Sequence, residues 1–456
     1  MTQSDAGTRA GTTTKERAES WKPWVTYVIG HQRPDMDAIA SALGYAWFLG
    51  QTTDDEMLAA RAGPVGTQAA FALGYFSQKT PRALSNAAPT FAHVAQPLEP
   101  VAPQTPLSRV MDRFAHGERL VPVVSGDGTL AGGLSPMALA RAYAQVAAGR
   151  IVAATQTCGA YVESLPTLQA GDRISDHRRT LFRSDGDDFL VVTEAGRYLG
   201  ITTRRRLLDP PRARLILVDH NELAQAVPGA DEAEIVGVLD HHRLGNFTTA
   251  SPIPFVVEPV GSTSTLVAES CRRQNLTPPD GLAGVMLSGI LSDTLVFHSP
   301  TTTERDRRIA LWLANLCGVD IEQYGEQIVH ASPGLADRSA AEILDADRKA
   351  YEMAGKAVSI AQVEVTGFGE LPDHRANLLD AMATRRDREN LSLICLMVSD
   401  VITVQSRLLC VGEEDVLTNL SFNHLDTSEF DLGHVVSRKK QLVPALQSVL
   451  EELYGA

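Results

Sequence analysis

Six side chains in the 456-residue chain have the types and placement to hold divalent cations: His31, Asp35, Asp37, Asp219, His241 and Asp293. The first three share the short segment GHQRPDMD. Asp219 closes the run RLILVD, and His241 stands between Asp240 and His242 at the end of EIVGVLDHH. Asp293 interrupts the apolar stretch GLAGVMLSGILSDTLVF, where a carboxylate is costly unless it is hydrogen-bonded, paired or metal-bound. Carboxylates and imidazoles without a thiolate suit manganese, cobalt or magnesium better than structural zinc. The four carboxylates balance two M²⁺ ions. Such a pair clamps the attacking and leaving oxygens of an in-line phosphoryl transfer and supplies the water nucleophile. A multiply charged phosphate then requires further cations. Ser437-Arg438-Lys439-Lys440, before an amphipathic helix, reads either as an anion clamp or as a solvated basic face.

The elements that must carry these groups follow from an alternation of apolar runs and helical periods. Trp24–Gly30, Leu215–Val218 and the stretch Ile235–Leu239 read as buried strands. In an open α/β sheet, ligands collect at the carboxyl edge, where each of these runs delivers its acids and histidines. Pro34 suits a helix start, and Ile39, Leu43, Ala46 and Leu49 follow at helical spacing. His31, Asp35 and Asp37 therefore occupy a strand-to-helix loop and a first turn, where the helix dipole favours carboxylates. Ordinary N-capping explains an Asp there equally well. Residues 51–86 hold a further helix around Ala69, Phe71, Ala72 and Tyr75. Gly261-Ser262-Thr263 lead into another, with N-capping as the expected role of the hydroxyls. Beyond residue 340, VSIAQVEV, LSLICLMVSD and VITVQSRLLCVG read as strands of a further α/β domain.

Between these parts lies an internal repeat. VPVVSGDGTLAGGLSPMALARA and FLVVTEAGRYLGITTRRRLLDP align at an offset of 68 residues, so that Gly128 meets Gly196, Gly132 meets Gly200 and Ser135 meets Thr203 (196−128 = 200−132 = 203−135 = 68). Each copy reads as strand, glycine turn, strand and helix, with a helical segment ahead of it, Leu107 to Ala115 in the first copy.

Composition narrows the function. A net charge of −14 argues against nucleic-acid binding driven by phosphate neutralisation. Apolar runs fall short of a membrane span, and no charged-then-apolar leader precedes Trp21. Five scattered cysteines without a CxxC spacing fit a reduced, cytoplasmic setting. Residues 1–20 are polar and expected to be disordered. The organisation expected is a tail (1–20), a catalytic domain in two parts (21–86 and 211–335), the repeat insert (87–210) and a C-terminal substrate-binding domain (340–456).

The ordered motifs GH-x-x-PD-x-D, VDHNE, LDHH, LSD and SRKKQ resemble a family II inorganic pyrophosphatase of the DHH phosphoesterase superfamily. The repeat resembles a tandem pair of cystathionine-β-synthase-type (CBS) regulatory domains. The resemblance implies an α/β fold: a doubly wound parallel-sheet DHH domain interrupted by the CBS pair, plus a smaller C-terminal domain with a mixed sheet. It implies hydrolysis of pyrophosphate with two divalent cations, Mn²⁺ preferred and Co²⁺ or Mg²⁺ possible, and additional Mg²⁺ brought with the substrate. One ion would be held by His31, Asp35, Asp219 and Asp293, the other by Asp37, Asp219, His241 and Asp293, with Asp219 and Asp293 catalytic as bridging ligands. His242 would contact substrate and protonate the leaving phosphate, with Asp240 orienting an imidazole. Lys349, Arg438 and Lys439 would grip the phosphates, Lys356 being a rival for Lys349. A homodimer is implied as well, regulated by AMP, ADP or ATP at the CBS pair. The family's ribose-binding Asp positions hold Ala138 and Arg206 here, which leaves nucleotide binding open. Two rival readings are a different DHH phosphoesterase acting on oligonucleotides or cyclic dinucleotides, and a nucleotide sensor with a vestigial phosphatase core.

Overall fold

A computed structural model describes residues 21–149, 156–183, 186–245, 248–331, 334–335, 338–365, 367–400, 403–435 and 437–455. The expected tail, 1–20, lies outside them. A six-stranded sheet runs in the order Phe255–Val257, Glu234–Asp240, Arg214–Val218, Val25–Ile29, Glu56–Arg61, Arg82–Ala83, and both of its outer strand pairs are parallel. Chain order reverses between Val25–Ile29 and Arg214–Val218. At such a switch point the connections leave in opposite directions and open a crevice at the carboxyl ends. His31 and Asp219 follow those two strands, so both fall at the crevice.

The strand Glu56–Arg61 was not expected, because Met, Leu, Ala and Arg favour helices. Its place between Val25–Ile29 and Arg82–Ala83 overrides that preference, as sheet context routinely does. The helix expected in 51–86 is confined to Thr67–Tyr75. The helices Met36–Thr52, Thr263–Arg273 and Asp280–Asp293 pack on one another. Close packing is possible because Gly44 carries no side chain: a Cβ there would stand 2.6 Å from the Met286 sulfur.

The C-terminal part is a mixed six-stranded sheet in which Lys356–Val365 pairs parallel to Leu393–Asp400 and antiparallel to Arg348–Met353. Leu393–Asp400 is buried throughout, since Ile394, Leu396 and Val398 meet the helix Leu371–Glu389 on one face while Leu393, Cys395 and Met397 meet Val443–Tyr454 on the other. Coverage on both faces is why the segment is a continuous apolar run rather than an alternating one.

By contacts the described residues separate into two units, one within 21–27, 84–215 and 227–236, the other within 28–83, 216–226 and 237–455. The first contains both repeats. Each has its preceding helix (Leu107–Ala115, Ile174–Arg183), an antiparallel strand pair and a following helix (Pro136–Ala147, Arg204–Leu208). Repeat-equivalent positions Thr129 and Arg197 pair with each other, 68 residues apart, which defines a local two-fold axis (197−129 = 68). The segments entering the repeats are exchanged: Gln96 pairs with Ile201, and Glu163 pairs with Gly133. The exchange explains two glycines, because a Cβ on Gly132 or on Gly200 would lie 2.5 Å from the carbonyl oxygen of Glu163 or Gln96 respectively.

Candidate metal centre

Asp219 is the hub of the site. It is buried and left-handed, with φ 60°, a conformation that Asp tolerates better than most residues. Its two oxygens face opposite ways. Oδ2 lies 3.5 Å from His31 Nε2, and Oδ1 lies 3.5 Å from His241 Nε2. His31 Nε2 is also 3.4 Å from Asp35 Oδ2, and His241 Nε2 is 3.6 Å from Asp293 Oδ2. Two donor groups result: His31, Asp35 and Asp219 in one, Asp37, Asp219, His241 and Asp293 in the other. Asp293 thus joins the second group and not the first. A further overlapping cluster pairs Asp219 and His241 with His242.

These separations exceed ordinary hydrogen bonds. They suit donors sharing one ion, because ligand distances of about 2.0–2.2 Å place neighbouring donors about 3.0–3.6 Å apart. Two buried atoms, Asp219 Oδ2 and His241 Nε2, have no hydrogen-bond partner among the described residues. An orphaned carboxylate oxygen facing His31 and an orphaned imidazole nitrogen facing Asp219 and Asp293 are costly unless cations satisfy them. Asp293 adds to the demand, because it ends the helix Asp280–Asp293, where the dipole disfavours a negative charge. The residues fit divalent cations.

The electrostatics agree. Burial alone would lower the pKa of His31, but the carboxylates of Asp219 and Asp35 beside it raise it to about 10. His241 is likewise opposed by burial and raised to about 9 by Asp219 and Asp37. Burial and the Asp219 charge push Asp37 to about 7, and burial with the charges of Asp37, Asp35 and Asp219 pushes Asp293 well above the usual range. Asp219 moves down despite burial, held ionised by His241 and His31. Acids so crowded compete for protons until cations replace them.

Surrounding residues aim the ligands. Asp35 is the N-cap of Met36–Thr52, accepting from Ala38 N at 2.9 Å, so capping and proximity to His31 coexist in one side chain. His241 Nδ1 sits 3.0 Å from the Val260 carbonyl, which leaves Nε2 for the centre. Asp240 Oδ1 accepts from the backbone nitrogens of His241 and His242 at 2.8 and 3.2 Å and meets His242 Nδ1 at 2.9 Å. That contact raises the His242 pKa, while the ring remains half-exposed. Asn221 staples the two ligand strands by donating to Asp240 Oδ2 and to the Arg243 carbonyl. Its place in VDHNE was the only hint of this in the sequence.

The serines and threonines of GSTST do more than cap. Ser262 caps the helix Thr263–Arg273, and Ser262, Thr263 and Ser264 also donate to Asp37, while Thr263 Oγ1 reaches Asp219 Oδ1 at 3.1 Å. Asp306, fully buried, secures that turn from behind by accepting from Gly261 N and Thr265 Oγ1 at 2.9 and 2.6 Å.

The cations expected at the substrate are differently placed. Lys349 and Lys439 are exposed and carry no ion pair among the described residues. Arg438 is 8% exposed. Its guanidinium donates to the Asp347 and Ile360 carbonyls and meets the Asp347 carboxylate at 2.9 and 3.0 Å. Lys356 lies 3.6 Å from Glu413 and 4.1 Å over the Tyr454 ring.

A doubly wound α/β sheet with an acid- and histidine-rich centre at its switch point defines a metal-dependent hydrolase class. The comparisons assign it further. Residues 25–290 match the DHH family, N-terminal domain, and residues 326–449 match the DHHA2 domain. The chain is 40% identical over 237 residues to the "Probable manganese-dependent inorganic pyrophosphatase" of Enterococcus faecalis, covering 52% of this chain and 77% of that protein. It is 38% identical over 240 residues to the protein of the same name from Lactobacillus johnsonii, covering 52% and 77%. A solved structure described as "Methanococcus jannaschii putative family II inorganic pyrophosphatase" shares the fold at TM-score 0.50 and 24% identity, over 94% of this chain and 100% of that one. The chain belongs to the DHH family, in its family II inorganic pyrophosphatase branch.

Proposed function

We propose that the chain hydrolyses inorganic pyrophosphate to two phosphates at the Asp219-centred site, using manganese or a related divalent ion. The observation that carries this reading is the pair of ligand groups that share Asp219 through opposite oxygens. Relatives named as manganese-dependent pyrophosphatases support the substrate and the metal. His31, Asp35 and Asp219 would hold one ion, and Asp37, Asp219, His241 and Asp293 would hold the other. Bound there, the ions activate water and neutralise phosphate charge.

The chain's own residues do the rest. His242, protonated through its bond to Asp240, presents its exposed face to the leaving phosphate as general acid. Lys349 and Lys439, exposed and unpaired, meet the terminal phosphate oxygens, and Arg438 joins them on release from Asp347. The CBS-like insert senses adenine nucleotides. Both ribose carboxylate positions are substituted, by Ala138 and Arg206, and Ser135 is committed to Glu163 at 2.6 Å, so binding rests on phosphate contacts from Arg205 and Arg206, which are exposed in the second copy. A second copy of the chain completes a homodimer in the cytoplasm.

The deciding assay supplies Mn²⁺ and compares pyrophosphate with ATP, nitrophenyl phosphate and oligonucleotides. Pyrophosphate should turn over fastest by a wide margin; preference for an oligonucleotide refutes the reading. Calorimetric titration of AMP, ADP and ATP tests the insert, and no heat from any of them removes the regulatory part.

A further inference from the structure

Asp37 and Asp219 both belong to the metal centre, yet they offer it their oxygens differently. Asp37 Oδ1 accepts three hydrogen bonds, from Ser262 Oγ at 2.7 Å, Ser264 N at 3.0 Å and Ser264 Oγ at 2.5 Å. Its Oδ2 accepts one, from Thr263 N at 2.6 Å. A carboxylate oxygen has two lone pairs, so three donors leave Oδ1 nothing to give an ion. The far side is closed as well. A Cβ on Gly289 would stand 2.8 Å from Oδ1 and 2.6 Å from Ser264 Oγ, so the backbone of Asp280–Asp293 leaves no room there. Asp37 itself is fully buried. Asp219, by contrast, has one donor on Oδ1 and none on Oδ2.

We infer that Ser264 and Ser262 are metal-selectivity residues, which hold Asp37 to ligation through Oδ2 alone. The inference rests on the metal-centre reading above. Its chemistry is a matter of ion size. A one-oxygen carboxylate suits small ions held near 2.0–2.2 Å in octahedral geometry, whereas Ca²⁺ takes six to eight oxygens at 2.3–2.6 Å and readily accepts both oxygens of one carboxylate. Saturating Oδ1 denies calcium that second oxygen. The two serines thereby bias the site toward manganese and magnesium without touching the ion, and Gly289 makes the arrangement possible by leaving space for the Ser264 hydroxyl.

The experiment is calorimetric titration of the full chain with Mn²⁺ alone and with Ca²⁺ alone, before and after combining Ser262→Gly with Ser264→Ala, which leaves Oδ1 only the Ser264 N donor and frees one lone pair. The variant should bind Mn²⁺ about 10-fold more weakly, the usual cost of losing a residue that supports a ligand. Its affinity for Ca²⁺ should hold or rise, so that the calcium-to-manganese preference shifts by a similar factor. General damage to the site would weaken both ions together and leave the ratio unmoved, which overturns the inference. Should that variant fail to fold, Ser262→Gly combined with Ser264→Cys replaces the second hydroxyl by a weaker donor of similar shape, while glycine still serves at a helix N-cap. An unshifted ratio there overturns it equally. If the unmodified chain binds neither ion, the metal-centre reading falls, and the selectivity role falls with it.

Discussion

Replacing Arg438 by alanine separates two roles that the sequence could not. The guanidinium is nearly buried and has three acceptor groups: the Asp347 carbonyl, the Ile360 carbonyl and the Asp347 carboxylate. Hydrogen bonds from a charged donor contribute roughly 1.5–3 kcal/mol each, and an acceptor left dry costs more than one that water can reach. The Asp347 side chain is 53% exposed, so its carboxylate rehydrates and that part of the loss is small. The Asp347 carbonyl keeps Gln362 N as a donor at 3.1 Å, so the loss is that of the two charged hydrogen bonds to the carbonyls, about 3 kcal/mol in all. The cost should be local, because Asp347 directly precedes the pairing of Arg348–Met353 with Lys356–Val365 and Ile360 lies within it, opposite Lys349. Hydrogen exchange on the full chain reads it directly. Amides of those two strands should exchange about 100-fold faster in Arg438→Ala, since 1.4 kcal/mol is a factor of ten, while Leu215–Val218 stays protected. Unchanged exchange in the two strands would refute the buried anchoring. If Arg438 also reaches substrate, KM for pyrophosphate rises and kcat falls with metal content intact.

Asp219→Asn should weaken binding at both donor groups together, because each uses one of its oxygens; loss of only one Mn²⁺ equivalent by calorimetry would show that the groups are independent. Lys349→Ala should raise KM for pyrophosphate about 10-fold, in line with loss of a charged contact of roughly 1.4 kcal/mol. Lys356→Ala should leave KM unchanged, since that ammonium is occupied by Glu413 and Tyr454. The reverse pattern in steady-state kinetics would exchange their roles.

The sequence by itself determined the chemistry of the centre and the order of its parts. Strand-ending acids and histidines at His31, Asp219 and His241 mark a carboxyl edge because apolar β-branched runs precede them, and that is a local signal. The repeat is legible for the same reason: its glycines recur wherever a turn or a close backbone approach demands them. Tertiary structure decided what depends on partners distant in the chain. Only folding brings Ser262–Ser264 onto Asp37, 225 to 227 positions away, and turns expected capping residues into supports of a ligand. Only folding seats Arg438 on Asp347, 91 positions away, so that a cation legible as a free phosphate donor lies buried in an ion pair. The strand Glu56–Arg61 belongs to the same class, since its residues favour a helix until neighbouring strands on both sides satisfy its backbone. Residue types thus named the metal centre. Which oxygen of each carboxylate it can use depends on hydrogen bonds that no local pattern encodes.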